Sequence, residues 1–477
     1  MGLAARRPIA APTPAQVDRA IRLTYAQMML NAVFGASTGG MFLVGFALTL
    51  GADDRLLGLM STVPQYFVLF QFLAAAMIQR GISRKWMTVA FSFVTPAAWF
   101  LIGLVPLVGA KLETVQKLGI LVGVMALVTL SGQFVGNARS SWIGELVPSD
   151  RRGRFFGYCT LFAGIVGSIF AVIEGRFLDA ISRHGLLAFT GLFYFGALFG
   201  LGAAALNVPQ PDCPLPGGGE QRPFGRILRE TVANRPFVLL ALVHAVIALG
   251  GIAGPFVSAY CLRDVGLSYF GLGMLNAVSI AAMLLASPLW GRIVDRTGCR
   301  PVLIVGLLLM APCAWIWYFV PPGRPSLAYM LLPWTNLVAG VGAAAMSVAI
   351  STMIYKLSKP EGRSVQFAAY SVFVALIGAP MPAVGGWLVS RLQASGHAVD
   401  LRITFYAASA FIFLAALAAR FLKEPESMPT RALVFSYFPD RVARAWGALT
   451  ASSPLAALLM RFDLAARNRE ERPPDAP

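Results

Sequence analysis

The sequence predicts an all-α integral membrane protein in which twelve transmembrane helices form two pseudo-symmetric six-helix bundles. Three observations carry that expectation. The 477 residues are 57% apolar and only 13% charged, with a mean hydropathy of +0.68, whereas soluble domains average roughly half apolar and a quarter charged. Apolar runs of about 20 residues, the length that crosses a ~30 Å hydrocarbon core, recur along almost the whole chain. Matching polar motifs stand at the same place in each half.

In order, the first six runs are Tyr25 to Leu50, Leu56 to Ile78, Trp86 to Val108, Leu118 to Ile143, Phe155 to Arg176 and Leu186 to Leu206. From Val208 to Phe237 the chain is rich in Pro, Gly and charge, a composition that cannot stay in hydrocarbon. It reads as a linker with a short interfacial helix around Phe224 to Val232. The second set is Phe237 to Leu262, Leu267 to Trp290, Val302 to Val320, Leu327 to Ile354, Val365 to Val389 and Ile403 to Ala419. The expected units are therefore an N-terminal bundle over 1–207, a cytoplasmic linker over 208–236, a C-terminal bundle over 237–422 and a cytoplasmic tail over 423–477. No sizeable soluble domain fits between the spans. The first run is too long for a signal-peptide core and is expected to be an uncleaved span.

The 39 Lys and Arg against 22 Asp and Glu give a net charge of +17. They fall in short clusters between apolar runs rather than on one amphipathic surface, which argues against nucleic acid as a partner. Counted by loop, Lys and Arg gather on one side: Arg80, Arg84 and Lys85; Arg151, Arg152 and Arg154; the linker; Arg292, Arg296 and Arg300; Lys356, Lys359 and Arg363. The opposite loops are poorer and acid-balanced, with Asp53 and Asp54 beside Arg55, Lys111 near Glu113, Arg263 beside Asp264, and Asp400 near Arg402. Positive loops stay in the cytoplasm, so both termini are expected there, in a bacterial-type inner membrane. In the tail, Arg441, Arg444, Arg461 and Arg467 interleave with Trp446, Leu455, Leu458 and Leu459, as in helices that lie on an anionic surface.

Cys159, Cys213, Cys261, Cys299 and Cys313 show no metal-ligand or disulfide spacing. Neither a phosphate-gripping glycine loop nor a nucleophile triad stands in the sequence. A metal, a cofactor, an enzymatic reaction and internal ATP hydrolysis are therefore not expected.

Paired halves around a central site are how many transporters build alternating access, and two repeats suggest duplication. Pro148, Arg151, Phe155 and Tyr158 after the fourth span recur as Pro360, Arg363, Phe367 and Tyr370 after the tenth. The stretch from Gln79 to Arg84 after the second span aligns with that from Asp295 to Arg300 after the eighth. The segment Gly291-Arg-Ile-Val-Asp295-Arg296-Thr-Gly298-Cys-Arg300 resembles the hallmark loop of the major facilitator superfamily, G-x-x-x-D-R-x-G-R-[RK]. The resemblance covers the chain from about Thr24 to Leu422, where topology and linker agree with it.

Residue chemistry gives the loop a physical reading of its own. Gly291 and Gly298 permit close packing and a tight turn, while Arg296 and Arg300 mark the interface. Asp295 is an anion suited to the N-terminal end of a neighbouring helix, with the start of span 11 and Arg363 as the natural partner. The resemblance implies a conformational latch of the outward-facing state, to which Arg80, Arg84 and Arg151 are the first-half counterparts; the other reading is an ordinary topology-fixing loop. In the first half Gln79 replaces the acid and Ala75 the first glycine, which predicts a weaker latch.

Polar side chains in hydrocarbon are costly unless they face a cavity or a partner. Those on spans that line the cavity in the superfamily are Asn31, Gln65, Gln133, Asn137, Arg139, His244, Asn276, Trp334, Asn336, Gln366 and Tyr370. For each amide, an interhelical bond that holds the bundle together is the competing role. Arg139 could bind a carboxylate or phosphate, or snorkel to the interface. His244 could titrate near neutral pH, or serve as a neutral packing group. Glu174 and Glu145 read as interfacial. Drug exporters of the superfamily commonly carry an arginine in span 4 three residues before a glycine, and a G-P motif in span 5; here Gln133 precedes Gly136 and span 5 has no proline.

The functional expectation is a monomeric secondary transporter or facilitator moving a small neutral, anionic or amphipathic solute by alternating access in the lipid bilayer, with protons as the candidate coupling ion. The alternative is a non-transporting assembly factor or sensor of similar fold acting through its tail.

Overall fold

The computed structural model describes residues 12–79, 82–108, 113–148, 151–181, 185–213, 224–358, 363–395, 400–424 and 427–433. The predicted amphipathic tail beyond residue 433, Arg80 and the glycine-rich part of the linker lie outside the described residues, as does the side chain of Arg363. Among the described residues, twelve helices are long and apolar enough to cross a membrane. Spans 1 to 6 are Pro14–Thr49, Asp54–Ile78, Arg84–Pro106, Gln116–Ile143, Phe155–Ala180 and Leu186–Ala205. Spans 7 to 12 are Arg235–Val265, Tyr269–Thr297, Cys299–Phe319, Pro325–Leu357, Val365–Ala394 and Arg402–Phe421. A helix is the natural answer to lipid, because it satisfies every backbone group inside the segment.

Span ends follow local chemistry. Asp53 caps span 2 by accepting the Leu56 N–H at 2.8 Å, and Ser268 Oγ caps span 8 by accepting from Gly271 at 3.0 Å. Several spans are interrupted. Span 1 breaks between Thr38 and Gly40, and span 2 tightens to a single-turn 3₁₀ segment, Phe67–Leu69, just after Pro64. Span 7 ends in a π-turn, Tyr260–Val265, closed by Gly266 at φ +80°. Only glycine adopts that left-handed conformation without strain. The linker helix, Phe224–Ala233, packs on spans 7 and 11.

The two faces of the molecule are held differently. Toward the face that carries the loops poor in Lys and Arg, one continuous apolar cluster joins Phe42, Phe46, Leu57 and Phe193 of the first half to Phe256, Tyr260, Leu272 and Phe405 of the second. Toward the basic face the buried core separates. Phe237, Trp290, Leu303 and Met353 belong to a cluster within the second half, and Trp142, Phe155 and Cys159 to one within the first. The halves thus close on each other at one end.

Candidate functional site

The closed end is built from backbone as much as from side chains. Span 2 lies against the second part of span 11: a side chain on Gly58 would collide with Pro382, and one on Gly386 with the Asp54 backbone. Thr62 Oγ1 accepts the Ala383 N–H at 3.0 Å, a bond possible because Pro382 and the preceding break leave that N–H free. Asp54, buried at the start of span 2, pairs with Arg263 on the π-turn of span 7 at 2.8 Å. Spans 5 and 8 form the second contact. Asp179 accepts the Tyr269 N–H at 3.0 Å and the Phe270 N–H at 2.9 Å, so a carboxylate of one half caps the positive end of a helix in the other. Gly45 and Gly175 leave room for Tyr269, whose ring stacks on Phe42.

These contacts across the closed end escaped the sequence reading. Asp54 and Arg263 looked like locally balanced loop charges; pairing across 209 positions leaves no local pattern. Glu174 corrects an expectation. It is 3% exposed and lies inside the shut end, with Ser37 of span 1 against its Oε1. Its position near the end of span 5 suggested an interface, but spans 1 and 8 cover it.

The predicted cavity residues divide into groups. Gln133 and Asn137 of span 4 meet span 2, Gln133 Oε1 accepting from Gln71 Nε2 at 2.7 Å and Asn137 donating to the Gln71 carbonyl at 3.3 Å. His244 of span 7 and Tyr370 of span 11 meet at 2.8 Å, and Gln366 is buried one turn before Tyr370. Asn31 and Asn276 are exposed. By helix periodicity, Asn276 falls between Gly273, which packs on span 5, and the Ser279 backbone, which packs on span 10. Gln65 and Asn336 bond to carbonyls one turn back in their own helices, at 3.1 and 2.9 Å. Trp334 is 71% exposed. Arg139 neither snorkels nor stands free: its guanidinium donates to Gln27 of span 1 at 2.7 Å and to Asn207 beyond span 6, tying three elements of the first half together.

Between spans 2, 7 and 11 and the linker helix opens a cleft of about 350 Å³. Phe72 of the first half faces Phe237, Ala241, Tyr370 and Phe373 of the second across it.

On the basic face each half has a joint that binds the segment following its sixth helix. In the first half, Arg84 is 3% exposed and pairs with Glu145 at 2.9 Å while donating to the carbonyls of Ser141 and Cys213. Ser83 Oγ adds a bond to Asp212 at 2.8 Å, and Arg151 pairs with Asp18 at 3.3 Å on the surface. In the second half Glu424 accepts the N–H groups of Cys299 and Arg300 at 2.8 and 2.9 Å and pairs with Lys356 at 3.1 Å. Burial raises its proton affinity, but those two backbone donors and Lys356 outweigh it and hold the carboxyl below the usual glutamate range.

This joint gives the hallmark loop its structure. Gly298 has φ +89°, and a side chain there would meet Ser427 at 2.8 Å. Gly291 has open space where a side chain would sit, so close packing does not account for it, contrary to expectation. Asp295 and Arg296 line a polar cavity of about 350 Å³ with Lys356, Lys423 and Glu424. Asp295 forms no ion pair or hydrogen bond among the described residues; the side chain of Arg363, its expected partner, lies outside them.

Residues 246–462 match the profile of the Major Facilitator Superfamily. That match covers a little under half of the chain. Among curated relatives, 178 residues are 28% identical to the multidrug resistance protein 1 of Bacillus subtilis, and 183 residues are 24% identical to the quinolone resistance protein NorA of Staphylococcus aureus. These alignments cover 36% and 38% of this chain and span only 41% and 43% of the relatives' lengths. The fold likeness is longer. A bacterial homologue of the human lysosomal transporter Spinster, in an inward-facing and unoccupied conformation, superposes over 87% of this chain and all of its own, with a TM-score of 0.61 at 19% identity. The nucleoside transporter NupG superposes over 85% of this chain and 98% of its own, with a TM-score of 0.63 at 13% identity. The fold likeness spans both bundles.

Proposed function

We propose that the chain is a secondary transporter or facilitator that moves a small organic solute across the cytoplasmic membrane by alternating access. The observation that carries this reading is the unequal closure of the two ends: a core shared by both halves at one face, and separate cores at the other. Such an arrangement suits rigid halves that rock about a common region. With Lys and Arg concentrated on the open face, that face and both termini belong in the cytoplasm, and the structure stands in the inward-facing state.

The cleft between spans 2, 7 and 11 is apolar, with Thr231 and Tyr370 as its polar lining, and His244 bonds Tyr370 from behind the lining. That lining favours an amphipathic solute, and the names of the multidrug and quinolone resistance relatives point the same way. The amide set of Gln71, Gln133 and Asn137 offers hydrogen bonds from the first half.

The test is transport in proteoliposomes, screened with amphipathic dyes and drugs, with and without a pH gradient. Movement faster than in protein-free vesicles is expected. A disulfide between Thr62→Cys and Ala383→Cys, across the shut end, should lower transport at least tenfold, and a reductant should restore it. Transport that persists with the closed end locked would overturn the rocking reading.

A further inference from the structure

Glu174 has no role in the packing described so far, and its surroundings are unusual for a carboxyl group. Span 5 places it within the shut end, 3% exposed. Only Ser37 meets its Oε1, and Oε2 has no hydrogen-bond partner among the described residues. On the elements packed against this stretch, span 1 brings Ser37, its ionisable groups Asp18, Arg19, Arg22 and Tyr25 standing three or more turns away toward its start, and span 6 brings Gly196, which touches Ser37. The Tyr194 ring of span 6 lies against Gly103 of span 3. Span 8 brings Tyr269, and span 5 itself has Arg176, which is exposed, and Asp179, which is engaged by span 8. Among the described residues, no cation pairs with Glu174.

The hydrogen bonds make the same point. Ser37 Oγ lies within bonding distance of both the Val33 carbonyl, at 2.9 Å, and Glu174 Oε1. A serine hydroxyl has one proton. If it goes to Val33, the usual bond of a serine in a helix, the second contact needs a proton from the carboxyl. A neutral acid satisfies both contacts, and an ionised one would stand uncompensated in hydrocarbon.

We propose that Glu174 is a proton-binding site that holds one proton while the outer end is shut and gives it up when that end opens. The opening route is adjacent. Gly175 packs on the Tyr269 and Phe270 backbone of the other half, and Asp179, just over one turn further, caps the same helix. Parting spans 5 and 8 brings water to the carboxyl, and hydration favours its ionised form. Since the proton binds the shut form better, rising pH must favour opening, by reciprocity of the two equilibria. The inference rests on the two-state reading above and adds the group through which pH acts.

Spin labels at Leu187→Cys and Arg324→Cys, on exposed outer ends of the two halves, report opening as a distance in lipid nanodiscs. Between about pH 5 and about pH 9, a range spanning buried carboxyls, the open-to-shut ratio of the otherwise unaltered chain should rise by up to about tenfold per pH unit, the slope of one proton. Glu174→Gln, a mimic of the neutral acid, should stay shut throughout. Glu174→Asp should retain a pH response, and His244→Gln should leave it intact. A distance that opens but ignores pH, or a Glu174→Gln chain that still responds, would overturn the role of Glu174 while leaving transport standing. A distance that never opens overturns both.

Discussion

The two basic-face joints occupy the same place in their halves and are built with opposite charges. In the first half a buried cation, Arg84, projects from the start of span 3 to an acid and two carbonyls. In the second an acid, Glu424, comes from beyond span 12 to the N–H groups at the start of span 9 and to Lys356. Both joints fasten the segment after the sixth helix of their half to the loop between its second and third. The residues that do so differ. A helix N-terminus with free N–H groups attracts an anion, so the second solution is available wherever an acid can reach one; the first needs a long forked side chain with several acceptors.

That contrast can be broken in order of expected effect. Arg84→Met removes the charge from the more buried joint and leaves Glu145 unpaired, so it should cost about 3 kcal/mol, read as a lowered unfolding midpoint in detergent. Gly298→Ala imposes a left-handed conformation on alanine and presses a methyl on Ser427, for about 2 kcal/mol. Glu424→Gln weakens two charge-assisted bonds and should cost about 1.5 kcal/mol. Because the folded carboxyl is held below its ordinary value, its stabilisation is present above about pH 4.3 and is lost as pH falls through the lower folded value. The gap between Glu424→Gln and the native chain should therefore be constant from about pH 8 to about pH 5 and narrow below about pH 4. Lys356→Met is the smallest change, under about 1 kcal/mol, since Lys356 is 53% exposed. Equal effects of Arg84→Met and Lys356→Met would mean that burial does not set the difference between the joints.

The hallmark loop illustrates how far a motif reaches. The need for glycine at position 298 followed from the turn that the pattern implies, and the φ of +89° agrees. Its anchor, Glu424, lies 124 positions from Arg300 and carries no signal until the chain folds. Much of the candidate site behaves likewise. Gln133, Asn137, His244 and Tyr370 stood out because polar groups are rare in apolar runs, but their pairings with Gln71 and with each other depend on how spans 2 and 4, and 7 and 11, lie side by side. Asp54 and Arg263 looked like locally balanced loop charges and Asp179 did not stand out at all, and only proximity between the halves joins them across the closed end.

Sequence by itself determined the solvent, the spans and the fold class, because hydrocarbon admits only segments that satisfy their own backbone and because about 20 apolar residues are needed to cross it. These are local conditions, readable run by run. Tertiary structure alone decided which end is shut, what Arg139 touches, and that Glu174 is enclosed instead of interfacial. Each of these depends on side chains from distant spans sharing a few cubic ångströms, and no periodicity along one helix encodes its neighbour.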